Sequence, residues 1–429
     1  MQLSAILVFG ILTLLAAAGE PAQKAESIDG FIQALDAAEP EARYEAALKL
    51  GDRGPDAAPA VQALIKRLGD DNTNVRAASA WALGRIGPDA KEAVPSLVKA
   101  FADPGYTAEG VPLWPVAAEA LGRIGPAAVP ALTEALGSSE LQVVKGSAGA
   151  LHDIGPEAKE AVPALIAVLE KPAITAAGGD NTPDSHGSAM FALIGIGPAA
   201  KPAIPALIKL LDSENFHNQY WSCRALAAIG AEAKPAVPDL CRLTREAVPS
   251  VRRHAAMALG KIGSGIGDEG LKCLIAAIED PLEPVRQDAV VALGDLGSFA
   301  QPAIPAIEKA LAGDRLAARA HAARSLWQIT GQTERALKVL AEAIANPVEA
   351  EFAAATLIEM GPAAKPAVPR LNEHLKSADP LVRLSAAEAL LTIEPDSQAA
   401  AATIEELKKS DSEEVREDTA KVLKRLKKP

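Results

Sequence analysis

NVRAASAWALGRIGPDAKEAVPSLVKAF, residues 74–101, reads as one helix, a Gly-Pro corner and a second helix. The first helix is predicted over about Val75–Ile86. Its core stripe is Val75, Ser79, Ala82, Leu83 and Ile86, spaced i, i+4, i+7, i+8 and i+11, one face of a 3.6-residue period. Gly87 can adopt the left-handed backbone that closes a helix, and Pro88 cannot continue one. Pro95 falls early in the next helix, where its missing N–H is harmless, and Val94, Leu97 and Val98 begin a second apolar stripe. Neither helix can bury its stripe alone, so the pair requires neighbours.

The corner recurs at Gly54, Gly87, Gly125, Gly155, Gly197, Gly230, Gly263, Gly297, Thr330, Gly361, Glu394 and Lys427. Most gaps are 33 residues, with 38 before Gly125 and 42 before Gly197. A period of about 33 built from helix pairs is the signature of an α-solenoid. The wording of the repeat narrows the choice. Asp280–Gly297, DPLEPVRQDAVVALGDLG, followed by Pro302-Ala-Ile-Pro-Ala-Ile307, resembles the short HEAT repeats of the phycobilisome-lyase type. The ankyrin and tetratricopeptide patterns are missing. The expected fold is all-α, an α-solenoid of about twelve HEAT-like helix pairs over residues 28–429.

Composition agrees with this reading. Hydrophobic residues reach 49% but aromatics only 3%, so Ala and Leu do the packing between closely stacked helices. The 32 prolines cluster at the corners. A net charge of −12 argues against a nucleic-acid backbone as partner. Residues 1–18, MQLSAILVFGILTLLAAA, hold an apolar run that is short against the roughly 20 residues of a spanning helix. Ala16-x-Ala18 before Gly19 fits a signal-peptidase site, although the run lacks a Lys or Arg before it. The expectation is export, periplasmic or secreted, after cleavage near Ala18, with 19–27 a polar leader. The mature chain is expected to be a monomer that does not insert in a membrane.

Eleven residues before the corner, seven units carry Arg: Arg43, Arg76, Arg252, Arg286, Arg319, Arg383 and Arg416. Asp71, Asp280, Asp314, Asp379 and Asp411 precede several of them, where an acid suits a helix N-terminus. The resemblance implies that such Asp and Arg side chains form ladders between units. The ladder breaks where Trp114, Val144, His186 and Gln219 take the same position. Insertions near 102–113 and 171–185 fall at the same corner of two of these units, and insertions on one edge of a solenoid often mark its binding face. Residues 101–221 also hold half of the fourteen aromatics and half of the six histidines. Tyr106, Trp114, His152, His186 and Tyr220 therefore form a candidate local site, with Trp221, Phe101 and Phe216 read as packing residues. A broader set, Trp81, Phe191, Ile194, Tyr220, Met257, Val291, Trp327 and Ile358, stands where a surface helix would carry charge. In the family that the chain resembles, that helix lines the concave side, so these residues would line an apolar groove.

Chemistry of other kinds is poorly supported. Cys223, Cys241 and Cys273 are an odd number for an exported chain. Cys223 and Cys241 are equidistant from one corner, but helix axes are usually too far apart for a disulfide, so packed free thiols are expected. No Cys-x-x-Cys or His-x-x-x-His spacing suggests zinc, and no phosphate loop or nucleophile elbow is present. Deoxyhypusine hydroxylase, a HEAT-repeat di-iron enzyme, uses His-Glu pairs; here no His is followed by Glu. The expected function is an exported, non-enzymatic scaffold or adaptor without cofactor, binding a protein or peptide partner. The alternative is an enzyme-like member, an oxidoreductase of the hydroxylase type or a bilin lyase, using the His152, His186 and His217 region.

Overall fold

The computed structural model describes residues 27–108, 110–175, 184–312 and 316–426, the side chains of 316–318 excepted. The proposed signal segment 1–18, most of the leader, the centre of the second insertion and the last corner at Lys427 lie outside these residues. The described chain is a succession of twelve helix pairs, each a short helix followed by a long one. Contacts divide it into two compact units, 1–229 and 230–429, each with six pairs.

The long helices of the first unit are Pro40–Asp52, Thr73–Ile86, Leu113–Ile124, Leu141–Ile154, Ser185–Ile196 and Phe216–Ile229. Those of the second are Pro249–Ile262, Glu283–Asp295, Leu316–Thr330, Pro347–Met360, Pro380–Ile393 and Glu413–Leu426. Within each unit, successive long helices pack side by side. The predicted stripe holds: Val75, Ser79, Ala82, Leu83 and Ile86 are all buried. The Ser79 hydroxyl donates to the Val75 carbonyl at 2.8 Å, which satisfies its one polar group in the core.

Most corners are built to one plan. Gly87 sits at φ 77° and ψ −137°, a backbone that a side chain would strain, and its N–H closes the helix on the Leu83 carbonyl. A 3-10 stretch, Gly87–Ala93, then turns the chain into the short helix Val94–Lys99. In the ninth pair the positive φ falls on Gly331, one residue after the expected Thr330. Glu394 has φ −132°, so that corner turns without a left-handed residue. Ser185–Leu211 has the length and apolarity of a membrane span, but Gly197 and a 3-10 turn break it into two helices of the stack.

Small residues let the long helices approach closely. A Cβ on Gly84 would stand 2.7 Å from the Ala120 Cα, and one on Gly260 would stand 2.9 Å from the Ala292 Cα. This is why a chain so poor in aromatics can fill its core.

The cysteines correct an expectation. Cys241 and Cys273 form a disulfide with Cα atoms 5.5 Å apart, and Cys223 alone is a buried free thiol. The pair joins the short helices Val237–Glu246 and Gly267–Ala277 of successive repeats. Their separation of 32 residues is one short of the repeat period of 33, which puts both near the same register. The bonded partner of Cys241 is one repeat on, not across its own corner. Burial pushes the Cys223 thiol up to about 12, so it stays protonated and unreactive.

Candidate functional site

The arginine row is structural. Arg43 grips Asp70 with two hydrogen bonds, 2.8 and 2.7 Å, and donates to the Ala37 and Ala38 carbonyls in its own loop. Arg76 repeats the pattern with Asp103 and the Asp70 carbonyl. Arg252 does so with Asp280 and the Ala247 carbonyl. Arg319 and Arg383 reach Glu342 and Glu406. Arg286 and Arg416 donate to loop carbonyls. Each arginine thus ties the entry loop of its helix and, in most cases, an acid of the next pair. Burial alone would raise the Asp70 and Asp280 carboxyls, but their arginine partners outweigh it and hold both below the ordinary value. The acid of the first rung is Asp70, not Asp71. Asp379 serves as an N-cap, accepting from Leu381 and Val382, and Asp314 lies outside the described residues.

At two of the positions where the arginine is missing, its loop contact is kept by other means. The Gln219 amide donates to the Ser213 carbonyl at 2.9 Å, and the His186 Nε2 to the Lys171 carbonyl at 2.8 Å. His186 is buried, with only 8% exposed. The second insertion is fastened beside it: the Ser185 hydroxyl accepts from the Ile174 N–H, and the Asp184 carboxylate caps the helix at Gly187. His186 is therefore part of the frame, and the structure does not place it with the other proposed site residues.

The first insertion is a small hairpin. Tyr106 and Pro112 form a bridge, Thr107 donates to the Val111 carbonyl at 2.8 Å, and Asn74 accepts from the Ala108 N–H. Tyr106 is 64% exposed at its base, and Trp114 is half-buried at the head of the next helix. Among the described residues, no ring contact joins either to the remaining candidates.

His152, Phe191 and Tyr220 do come together, through Trp221. The His152 ring stacks on Phe191 with centroids 3.8 Å apart and planes within 13°. Phe191 meets Trp221 edge-on at 6.1 Å, and Trp221 meets Tyr220 edge-on at 5.3 Å. The Arg224 guanidinium lies 4.7 Å from the Trp221 ring centre and 5.6 Å from that of Tyr220. These five residues come from three successive long helices of the first unit, and all are half-buried. Geometry fixes the run at its start. The His152 Nδ1 donates to the Phe191 carbonyl at 2.8 Å, which sets the ring plane and leaves Nε2 for another partner. Gly195 makes this approach possible, since a Cβ there would stand 2.7 Å from the His152 Cα and Nδ1.

The other residues of the broader set behave unevenly. Trp81 is half-buried over Gly51, with Arg85 5.8 Å from its ring centre. In the second unit Met257 is 40% exposed, while Val291, Trp327 and Ile358 are half-buried. Phe101 is core, as expected, but Phe216 is 44% exposed and leans on His217 at the helix start. Among the described residues, no group of three His, Cys, Asp or Glu is placed to hold a metal. Reading of the sequence missed Arg224, although its spacing of three and four from Trp221 and Tyr220 on a helix was visible.

The chain was compared with known proteins. The profile of the HEAT repeats matches residues 28–108, 179–259, 204–294 and 237–326, together more than half of the chain. That of the PBS lyase HEAT-like repeat matches 116–138. The comparison with curated protein sequences returned no match. Among solved structures, an engineered protein is similar at 22% identity and a TM-score of 0.38, over 94% of this chain and 99% of that one. The karyopherin Kap121p bound to the extreme C-terminus of the protein phosphatase Cdc14p is similar at 14% identity and a TM-score of 0.46. The same karyopherin bound to Nup53p gives 14% and 0.44, and in both cases the alignment covers 95% of this chain and 46% of the karyopherin. With the corner, the paired helices and the arginine rungs recurring through both units, the chain belongs to the HEAT-repeat proteins, of the short, PBS-lyase-like type.

Proposed function

We propose that this HEAT-repeat chain is an exported, non-enzymatic scaffold that binds a protein or peptide partner on the long-helix face of its first unit. One observation carries the reading: the half-buried run His152–Phe191–Trp221–Tyr220, where a solvated helix face would hold charges. Large rings held rigid by neighbours, partly covered and partly free, are the usual anchors of a protein interface. The test is a pull-down from the exported fraction with the wild-type chain and with Phe191→Ala plus Trp221→Ala, both checked for helical folding. Loss of specific partners in the double variant is expected; an unchanged partner profile overturns the reading.

Export rests on residues 1–18 and is supported by the Cys241–Cys273 disulfide, a bond that persists in oxidising compartments. N-terminal sequencing of protein recovered outside the cytoplasm should begin near Gly19. Recovery of the full chain, reduced, from the cytoplasm would overturn this part.

A further inference from the structure

Arg224 stands apart from the ladder arginines. On three other long helices an arginine meets a carboxylate on a neighbouring helix: Arg253 with Asp288 at 2.6 Å, Arg324 with Glu359 at 2.9 Å, and Arg425 with Glu388 at 2.6 Å. Among the described residues Arg224 has no such carboxylate. Its one hydrogen bond among the described residues is long, 3.4 Å to the Tyr220 hydroxyl, so most of its five N–H donors have no partner there. The sequence shows why. The preceding long helix, Ser185–Ile196, contains no Asp or Glu, and the long helix next in the chain, Pro249–Ile262, contains none either. The acid that a neighbouring helix supplies at those three arginines is thus not encoded on the long helix before this one or on the one after it in the chain.

The guanidinium is nevertheless held in place. Its centre lies 4.7 Å from the ring centre of Trp221 and 5.6 Å from that of Tyr220, so two rings hold it without using up its N–H donors. A planar cation held in this way is a bidentate carboxylate receptor whose side-chain ordering is already done. We propose that Arg224 is the charged anchor of the partner-binding face. Resting on the function proposed above, it assigns the partner as an extended peptide carrying an Asp or Glu side chain beside an apolar residue. The carboxylate pairs with Arg224, and the apolar residue lies on Trp221 and Phe191.

The experiment uses the full chain, immobilised, against a random dodecapeptide display library. A single enriched synthetic peptide is then titrated against wild type, Arg224→Gln, Arg224→Lys and Trp221→Ala. Enriched sequences should share an Asp or Glu next to a large apolar residue. Arg224→Gln should weaken binding at least tenfold and flatten its salt dependence, with only a small drop in the thermal midpoint, since the ring contacts are lost but no ion pair among the described residues is. Arg224→Lys should restore only part of the affinity, because an ammonium cannot bind bidentately. Peptides that bind without an acidic residue, or that bind Arg224→Gln as well as wild type, overturn the anchor but leave a peptide-binding scaffold. Absence of any peptide enriched over the blank support overturns both.

Discussion

In the first unit His152 stacks on Phe191, and the contact continues through Trp221 to Tyr220 and Arg224. In the second unit His321 leans on Phe352 at 4.0 Å, again a histidine against a phenylalanine of the next long helix. There the neighbours are ion pairs, Arg253–Asp288 and Arg324–Glu359, followed by Lys261–Asp295 and Arg425–Glu388. The backbone pattern is shared, but the chemistry of the face differs. Paired charges satisfy one another, and a ligand covering them would have to strip their water for little return. Half-covered rings with a cation that has no carboxylate partner among the described residues gain on being covered. The proposed binding face is therefore the one in which rings, and not ion pairs, join successive long helices.

The sharpest way to break the aromatic run is at its closest approach. Gly195→Val would force a side chain into the His152 backbone and ring. It should cost on the order of 3 kcal/mol and abolish the stacking, read by thermal unfolding and near-ultraviolet circular dichroism. In the ion-paired unit the corresponding test is Asp280→Asn. Arg252 and Asp280 have side chains only 13% and 7% exposed, and breaking the pair should cost about 2–3 kcal/mol at neutral pH in chemical denaturation. Because the folded Asp280 carboxyl lies below the ordinary 3.8, its contribution is present above that pH and lost as pH falls through the folded value. The variant should therefore show a shallower acid decline than wild type.

A smaller effect belongs to the histidine–phenylalanine pair of the second unit. Burial, and then Arg324, push the His321 imidazole below its ordinary 6.5, with Asp288 opposing. A folded histidine harder to protonate than the unfolded one costs nothing above that pH and loses stability as pH falls from 6.5 to the folded value. His321→Gln should remove that decline, measured as the pH dependence of the unfolding midpoint. The smallest expected change is on the helix of His152 itself. A Cβ on Gly149 meets nothing within 4 Å, so Gly149→Ala should stabilise by about 0.5–1 kcal/mol, against the large loss at Gly195.

Much of this was legible in the sequence, because the repeat is written in local terms. The Val75–Ile86 stripe, Gly87 and Pro88 specify a helix, a stop and a corner with no reference to distant residues, and copying them specifies the stack. The arginine rungs were visible for the same reason, since their period repeats with the fold. The disulfide was missed by looking across one corner for a partner, when the period of 33 places Cys273 beside Cys241 on the next short helix. The site was half legible. Clustering pointed to residues 101–221 and drew in His152, Phe191 and Tyr220, but it could not separate them from His186, which took over an arginine's loop contact, or from Tyr106 and Trp114, which stand apart.

What the sequence determined by itself is the brick and its repetition: periodic apolar spacing, positive-φ glycines and prolines act within a few residues, so they need no tertiary context. Only the tertiary structure decided which aromatics meet, that Arg224 lies on rings with no carboxylate of the described residues against it, and which thiols bond. Those facts depend on the lateral register of successive helices, set by how closely Gly195, Gly84 and their counterparts let one backbone approach the next, and that distance is fixed by packing between segments tens of residues apart.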